Sequence, residues 1–184
     1  MRVVAGELRG RHLAAPPGEG TRPTSDRVRE AVFNALWSLD AIDGASVLDA
    51  FAGSGALGIE ALSRGAATAT FVERDRAALH TLRANLASCG IGPDRAEVVV
   101  GDAPALVASG RLAGPWGLAL LDPPYAFDAW DGLLTSLDAG VAVVEADRAL
   151  EPPAPWLVAR SKRYGGTVVT ICRRQPAERG ATSA

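Results

Sequence analysis

The sequence predicts an α/β protein built on a parallel sheet with helices on both faces. Three observations predict it. Five short apolar runs each end in a carboxylate: Ser46–Asp49, Ala69–Glu73, Glu97–Asp102, Leu118–Asp122 and Val141–Glu145. Helix-period patterns separate them, the alternation expected of a doubly wound sheet. A glycine-rich turn, Gly53-Ser54-Gly55-Ala56-Leu57-Gly58, follows the first run, at the strand end where open α/β sheets accept ligands.

Residues 1–23 are broken by Gly6, Gly10, Pro16, Pro17, Gly18, Gly20 and Pro23. The alternating pieces Val3-Val4-Ala5 and His12-Leu13-Ala14 read as a small hairpin followed by a loop. Thr24-Ser25-Asp26 opens a helix just after Pro23. Val28, Val32, Leu36 and Leu39 follow at spacings of four, four and three, an apolar face that Phe33 and Trp37 widen. The first strand, Ser46–Asp49, leads through the glycine turn into a helix over Leu57–Leu62. The second strand precedes a helix over about Asp75–Ser88, and the third precedes a short helix. The fourth is followed by Pro123-Pro124 and a helix over Trp130–Leu137, then by the fifth strand. Trp156–Ala159 and Thr167–Cys172, around Gly165-Gly166, read as a closing hairpin. The division expected is an N-terminal hairpin extension over 1–23 and one globular unit over 24–184.

At 184 residues, 48% apolar and 22% charged, the chain can bury a core and is no disordered tail. No apolar run approaches the roughly 18–20 residues of a membrane span, and the start meets Glu7 too soon for a signal peptide. Cys89 and Cys172 stand far apart outside any C-x-x-C, which argues against a disulfide scaffold or a cysteine-rich zinc site. A cytoplasmic location is expected. The formal net charge of −2 hides an asymmetry: residues 1–29 carry +3, residues 159–184 carry +5 and the middle carries −10. Basic ends on an acidic body point to a polyanion partner, although ordinary solvated charge gives the same counts. If the ends do meet a polyanion, its affinity falls steeply with salt, and trimming residues 1–20 flattens the slope.

In a parallel sheet Asp49, Glu73, Asp102 and Asp122 crowd one edge, with Glu145 as a fifth acid. Capping explains one or two of them; four in a row point to a site that wants acceptors and negative charge. The loop after Asp49 contains G-x-G-x-x-G, a weak dinucleotide signal on its own. A pyrophosphate would be repelled by an acid four residues before the first glycine, whereas an ammonium would be attracted. The reading favoured is therefore S-adenosylmethionine, an amino acid bearing a sulfonium. Glu73 is placed to accept from the ribose hydroxyls and Asp102 from the adenine amine.

Asp122-Pro123-Pro124-Tyr125 is the sharpest motif. Its prolines fix φ and remove two N–H donors, so that the Asp122 carboxylate and the Pro123 carbonyl can both accept from one exocyclic amine. Such an amine is a poor nucleophile because its lone pair is delocalised into the base. Two acceptors localise that pair toward a methyl donor. Tyr125 can stack on the base, which must leave its own stack to enter. A plain proline turn is the competing reading.

Together these blocks resemble the bacterial 16S rRNA guanine-N2 methyltransferase family, over about residues 2–174. The most specific block is Arg2–Gly6 with Arg9-Gly10-Arg11 and Thr21-Arg22-Pro23-Thr24 through Asn34; the others are Asp49–Gly65 with Phe71-Val72-Glu73, and Leu121–Tyr125. The resemblance implies a Rossmann-like, mostly parallel seven-stranded sheet with an N-terminal β-hairpin extension. It implies methyl transfer from S-adenosylmethionine to the N2 amine of one guanine, position 966, in a small ribosomal subunit or its assembly intermediate. It implies Asp49, Phe51, Gly53, Gly55, Glu73 and Asp102 on the cofactor, and Asp122, Pro123, Pro124 and Tyr125 at the target base. It implies RNA contacts at Arg9 and Arg11 and active-site or RNA contacts at Arg22 and Thr24, and a monomer without metal or membrane is expected. The stretch between Leu133 and Val141 is short for the family, and the basic tail after Arg174 has no counterpart in it. Alternatives are amine methylation of DNA adenine, another RNA or a protein glutamine, a non-catalytic nucleotide-binding assembly factor, and a nicotinamide-dependent oxidoreductase.

Overall fold

The computed structural model describes residues 1–16 and 26–176. In chain order the elements are α1 (Asp26–Trp37), β1 (Ser46–Asp49), α2 (Ala56–Ser63), β2 (Thr68–Glu73), α3 (Arg76–Cys89), β3 (Ala96–Val100), α4 (Ala103–Ala108), β4 (Trp116–Leu121), α5 (Trp130–Ser136), β5 (Ala139–Ala146), β6 (Trp156–Tyr164) and β7 (Thr167–Arg174). They build one seven-stranded sheet of order β3-β2-β1-β4-β5-β7-β6. β1 to β5 pair in parallel, while β7 runs antiparallel between β5 and β6. The strand order reverses between β1 and β4, the place where ligands of open α/β sheets bind. Among the described residues no helix is long and apolar enough to cross a membrane.

Side chains alternate across the pleat. Val47, Leu118, Leu120, Val141 and Val143 point to the face covered by α1, α2 and α3, where Val32, Leu36, Ile59, Leu62 and Leu82 meet them. Leu48, Ala119, Leu121, Ala142 and Val144 point to the other face, against Val107 of α4 and Leu133 and Leu134 of α5. Strands buried on both sides explain why the runs are apolar without alternation. The connection from α5 to β5 is only Leu137-Asp138, the short link that the sequence indicates.

Two elements differ from expectation. Trp37 does not widen the buried face of α1; it is 63% exposed. Phe33, one turn earlier, lies under the Arg64 guanidinium, 5.2 Å from its ring centroid. Trp37 stands instead over a groove of about 500 Å³ beside Gly65 and Arg95. β6 extends nine residues to Tyr164 rather than ending at Ala159. Its side chains after Trp156 are exposed or half-buried, so it has no apolar pattern to read.

The N-terminal hairpin is present and belongs to the same core. Val3 N–H donates to Arg11 O and Leu13 N–H to Met1 O, each at 2.9 Å, and Val3 and Leu13 are buried against α1 and α2. Glu60 of α2, fully buried, accepts from Val4 N–H at 2.8 Å and from Ala5 N–H at 3.1 Å. It also pairs with Arg64 at 2.7 Å and with buried Arg29 of α1 at 3.5 Å. Asn85 of α3 pairs with both polar backbone groups of Ala14 and donates to the Ser54 carbonyl. Trimming this hairpin would strip donors from a buried carboxylate, so deletion of residues 1–20 is no clean test of an RNA contact.

Candidate active site

The parallel register brings the acids to one edge. Asp49 ends β1 opposite Phe71 of β2 and Leu120 of β4; Glu73 and Asp122 lie two residues beyond those partners. Glu73 and Asp122 both act on the Asp49 carboxyl by charge.

Asp49 is 1% exposed. Gly58 N–H donates to its Oδ2 at 2.9 Å, and its Oδ1 has no protein partner. Burial pushes the carboxyl up to about 7; the Gly58 bond opposes this, and the charges of Asp122 and Glu73 add to it. Glycine is what allows the contact. A Cβ at Gly58 would fall 2.3 Å from the Phe71 ring, so only glycine lets α2 approach β2 closely enough to present its N–H. Gly53 and Gly55 take φ of 53° and 81°, the left-handed region, which folds the loop back over the strand end.

Glu73 is more engaged than a ribose acceptor needs to be. Its Oε2 accepts from Gly53 N–H at 2.8 Å, and its Oε1 from Arg74 and Asp75 N–H at 2.7 and 2.8 Å. It braces the glycine loop to β2. A carboxylate has about four acceptor positions, which leaves one at Oε2. Asp102 caps α4, accepting from Ala105 N–H at 3.1 Å, and its other oxygen meets exposed Arg74 at 2.9 Å. The capping explanation therefore holds in full for Asp102.

Asp122 follows β4 directly and is half-buried; Pro123 is buried and Pro124 is exposed. Tyr125 is 57% exposed, its hydroxyl 3.2 Å from Thr167 Oγ1 at the start of β7. Phe127 N–H closes the turn onto Pro124 O at 2.8 Å. Phe51, from the glycine loop, meets Phe127 edge-on at 5.4 Å, and Phe127 meets Trp130 at 4.8 Å. This aromatic contact sets the glycine loop and the Asp-Pro-Pro-Tyr turn side by side across the switch in strand order. One rim thus offers a buried acceptor at Asp49, a braced glycine loop, a second carboxylate at Asp122 and an open aromatic face at Tyr125.

Arg9 and Arg11 are exposed on the hairpin. Arg22 and Thr24 lie outside the described residues. Sequence reasoning missed Phe127 and Thr167, which position the loop and Tyr125, and also Glu60 and Asn85, which dock the hairpin. Glu60 and Asn85 carried a signal: each is a polar residue on the apolar face of its helix, Glu60 beside Ile59 and Leu62, Asn85 beside Leu82 and Leu86. Thr167 carried none.

Residues 1–173 match the family described as Conserved hypothetical protein 95. A putative rRNA methyltransferase of Bacillus subtilis is 39% identical, over 95% of this chain and all of its own length. The ribosomal RNA small subunit methyltransferase D of Escherichia coli is 37% identical, over 95% of this chain and 90% of its own. The solved structure of a putative methyltransferase from Escherichia coli superposes with a TM-score of 0.82 at 38% identity, over 95% of this chain and 98% of that one.

Proposed function

The chain belongs to the Conserved hypothetical protein 95 family, and from that premise we propose that it is an S-adenosylmethionine-dependent methyltransferase of small-subunit ribosomal RNA. The finer reading is methylation of the exocyclic N2 amine of one guanine, position 966, by a monomer acting in the cytoplasm on the subunit or its assembly intermediate. The observation that carries it is the junction of the glycine loop with the Asp122-Pro123-Pro124-Tyr125 turn through Phe51 and Phe127. That junction holds a donor site and an acceptor site against each other, where proximity does most of the catalytic work.

The residues present fit the cofactor. A buried carboxylate oxygen without a partner, Asp49 Oδ1, suits an ammonium group. A Cβ at Gly53 would meet nothing within 4 Å, so the Gly53 backbone is open to a ligand, while Gly55 shapes the turn from the core side, where a Cβ would fall 2.4 Å from Leu82. The remaining acceptor position on Glu73 suits a hydroxyl. Asp102 could accept an adenine amine by exchanging its exposed Arg74 pair, which is worth little. Bound there, S-adenosylmethionine supplies a methyl group made electrophilic by a cationic sulfur.

On the acceptor side, the Asp122 carboxylate and the Pro123 carbonyl accept the two N–H groups of the target amine and localise its lone pair. Tyr125, held to Thr167, stacks on the extruded base, and Pro124 keeps the turn rigid. No strong base is needed, because the amine becomes acidic once the new C–N bond forms. Arg9 and Arg11 meet phosphates, and Arg22 and Thr24 add contacts in the family's specific block.

The experiment is to add the protein and S-adenosylmethionine to small subunits lacking the modification and to map the methylated nucleotide by mass spectrometry. A single N2-methylguanine is the expected result. Label mainly in DNA or protein overturns the reading in favour of another amine substrate, and no transfer with intact cofactor binding favours a non-catalytic assembly factor.

A further inference from the structure

We propose that one face of β6 is a track for the RNA strand flanking the target nucleotide, with Arg160, Lys162 and Tyr164 as its contacts. The inference rests on the RNA substrate argued above. β6 pairs antiparallel with β7, which is itself antiparallel to β5. β6 therefore points the same way as the central strands and ends, at Tyr164, on the rim that carries Asp49 and Asp122. The link is physical: Thr167, paired with Tyr164 across the hairpin, is the residue that holds the Tyr125 hydroxyl.

Residues opposite one another in an antiparallel ladder share a face. Arg160 stands opposite Ile171 and Lys162 opposite Val169, and both partners belong to the α1–α3 side of the core. Tyr164 packs against that same side. Arg160, Lys162 and Tyr164 thus form a row at two-residue steps, about 7 Å apart for extended backbone, leading to the catalytic rim. Lys162 Nζ lies 5.2 Å from the Tyr164 ring centroid. Arg160 and Lys162 are exposed, and among the described residues no ion pair engages either of them.

Charge selects the occupant. Residues 156–174 carry five basic side chains and no acidic one, on a chain whose net charge is −2. Two cations followed by an aromatic ring on an open strand suit consecutive phosphates and a stacked base. The edge also exposes Leu157 and Val158, so a second copy of the chain is the alternative occupant that the test must separate.

The test compares the wild type, the double variant Arg160→Ala/Lys162→Ala and a control, Arg83→Ala, which removes an exposed arginine from α3. KM for unmethylated small subunits is measured across a salt series. For the double variant, KM at physiological salt should rise about tenfold and the log–log salt slope should flatten by about 1.4, near 0.7 per lost phosphate contact on a single strand. S-adenosylmethionine affinity should stay unchanged, the control should match the wild type, and Arg160→Lys/Lys162→Arg should restore the slope. A merely structural role would leave the slope alone. An unchanged slope in the double variant, with a wild type that labels the subunit, overturns this surface and leaves the proposed function standing. A wild type that labels no small-subunit RNA overturns both. A dimer in sedimentation that the double variant dissolves assigns the strand to a second copy instead.

Discussion

The Gly58 amide holds Asp49 by Oδ2 at 2.9 Å while Oδ1, equally buried, meets no protein group. The carboxylate is thus oriented and desolvated before any ligand arrives. With its carboxyl raised from 3.8 to about 7, folded Asp49 keeps a proton over a range in which the unfolded chain has lost it. The native state binds the extra proton there, so stability should fall as pH rises from about 4 to about 7 and level off above. The slope is about 1.4 kcal/mol per pH unit from this group alone. Asp49→Asn should abolish that component, raise the Tm of the ligand-free protein at alkaline pH and change it little in acid. Thermal unfolding across pH checks this; an Asn variant that kept the wild-type slope would assign the titration to another group.

The same proton should appear in binding. A cationic ammonium at Oδ1 favours the ionised carboxylate, so S-adenosylmethionine affinity should rise with pH up to about 7, with proton release below that value. Calorimetry in two buffers of different ionisation enthalpy measures the release. Asp49→Asn should weaken binding and bring the release to zero.

Asp122→Ala removes an acceptor for the target amine. By analogy with the loss of one preorganised electrostatic contact, methyl transfer should fall by about 10²–10³ in kcat. It also removes a charge that pushes the Asp49 carboxyl up, so the pH at which cofactor affinity levels off should move lower. Full turnover in this variant would exclude the proposed chemistry.

Tyr125 and Thr167 should behave as one unit. Tyr125→Phe and Thr167→Val each delete the same 3.2 Å hydrogen bond, worth about 0.5–1.5 kcal/mol. Each should lower kcat/KM for the subunit several-fold, and the double variant should be no worse than either single. Tyr125→Ala should cost more, because stacking on a base is worth about 1–3 kcal/mol. Additive single effects would mean that the two side chains act separately.

Glu60 should be the least replaceable acid outside the rim. Glu60→Ala takes the carboxylate from Arg64, leaves Asp26 as the remaining counter-charge of buried Arg29, and strips the acceptor from Val4 and Ala5. Breaking a buried pair costs about 3–5 kcal/mol. Chemical denaturation should show that loss, together with faster hydrogen exchange at Val4 and Ala5; a stability within 1 kcal/mol of wild type would count against the pairing.

Much of the architecture was legible because parallel strands covered on both sides leave continuous apolar runs. Asp49 and Asp122 could be placed at one edge from those runs alone. The misreadings have local causes. β6 is an edge strand with solvent on both faces, so its length left no hydrophobic trace beyond Trp156. Trp37 carries the right residue type at the right spacing, but it is the last residue of α1 and borders the open groove beside Gly65 and Arg95. Asp102 and Glu73 showed that an acid was needed, not what it accepts: one caps a helix, and the other takes three backbone amides. The contacts of Phe51 with Phe127 and of Tyr125 with Thr167 join distant segments through side chains that any loop could carry.

The docked hairpin also constrains how the molecule is made. Val4 waits for an acceptor 56 residues downstream, and Ala14 for one 71 residues downstream. During vectorial synthesis this segment cannot complete its docking until α3 has followed it out. Its closure is a late, long-range event of the kind that slows folding, and mutations in α2 or α3 should reduce the yield of native chain before they touch catalysis.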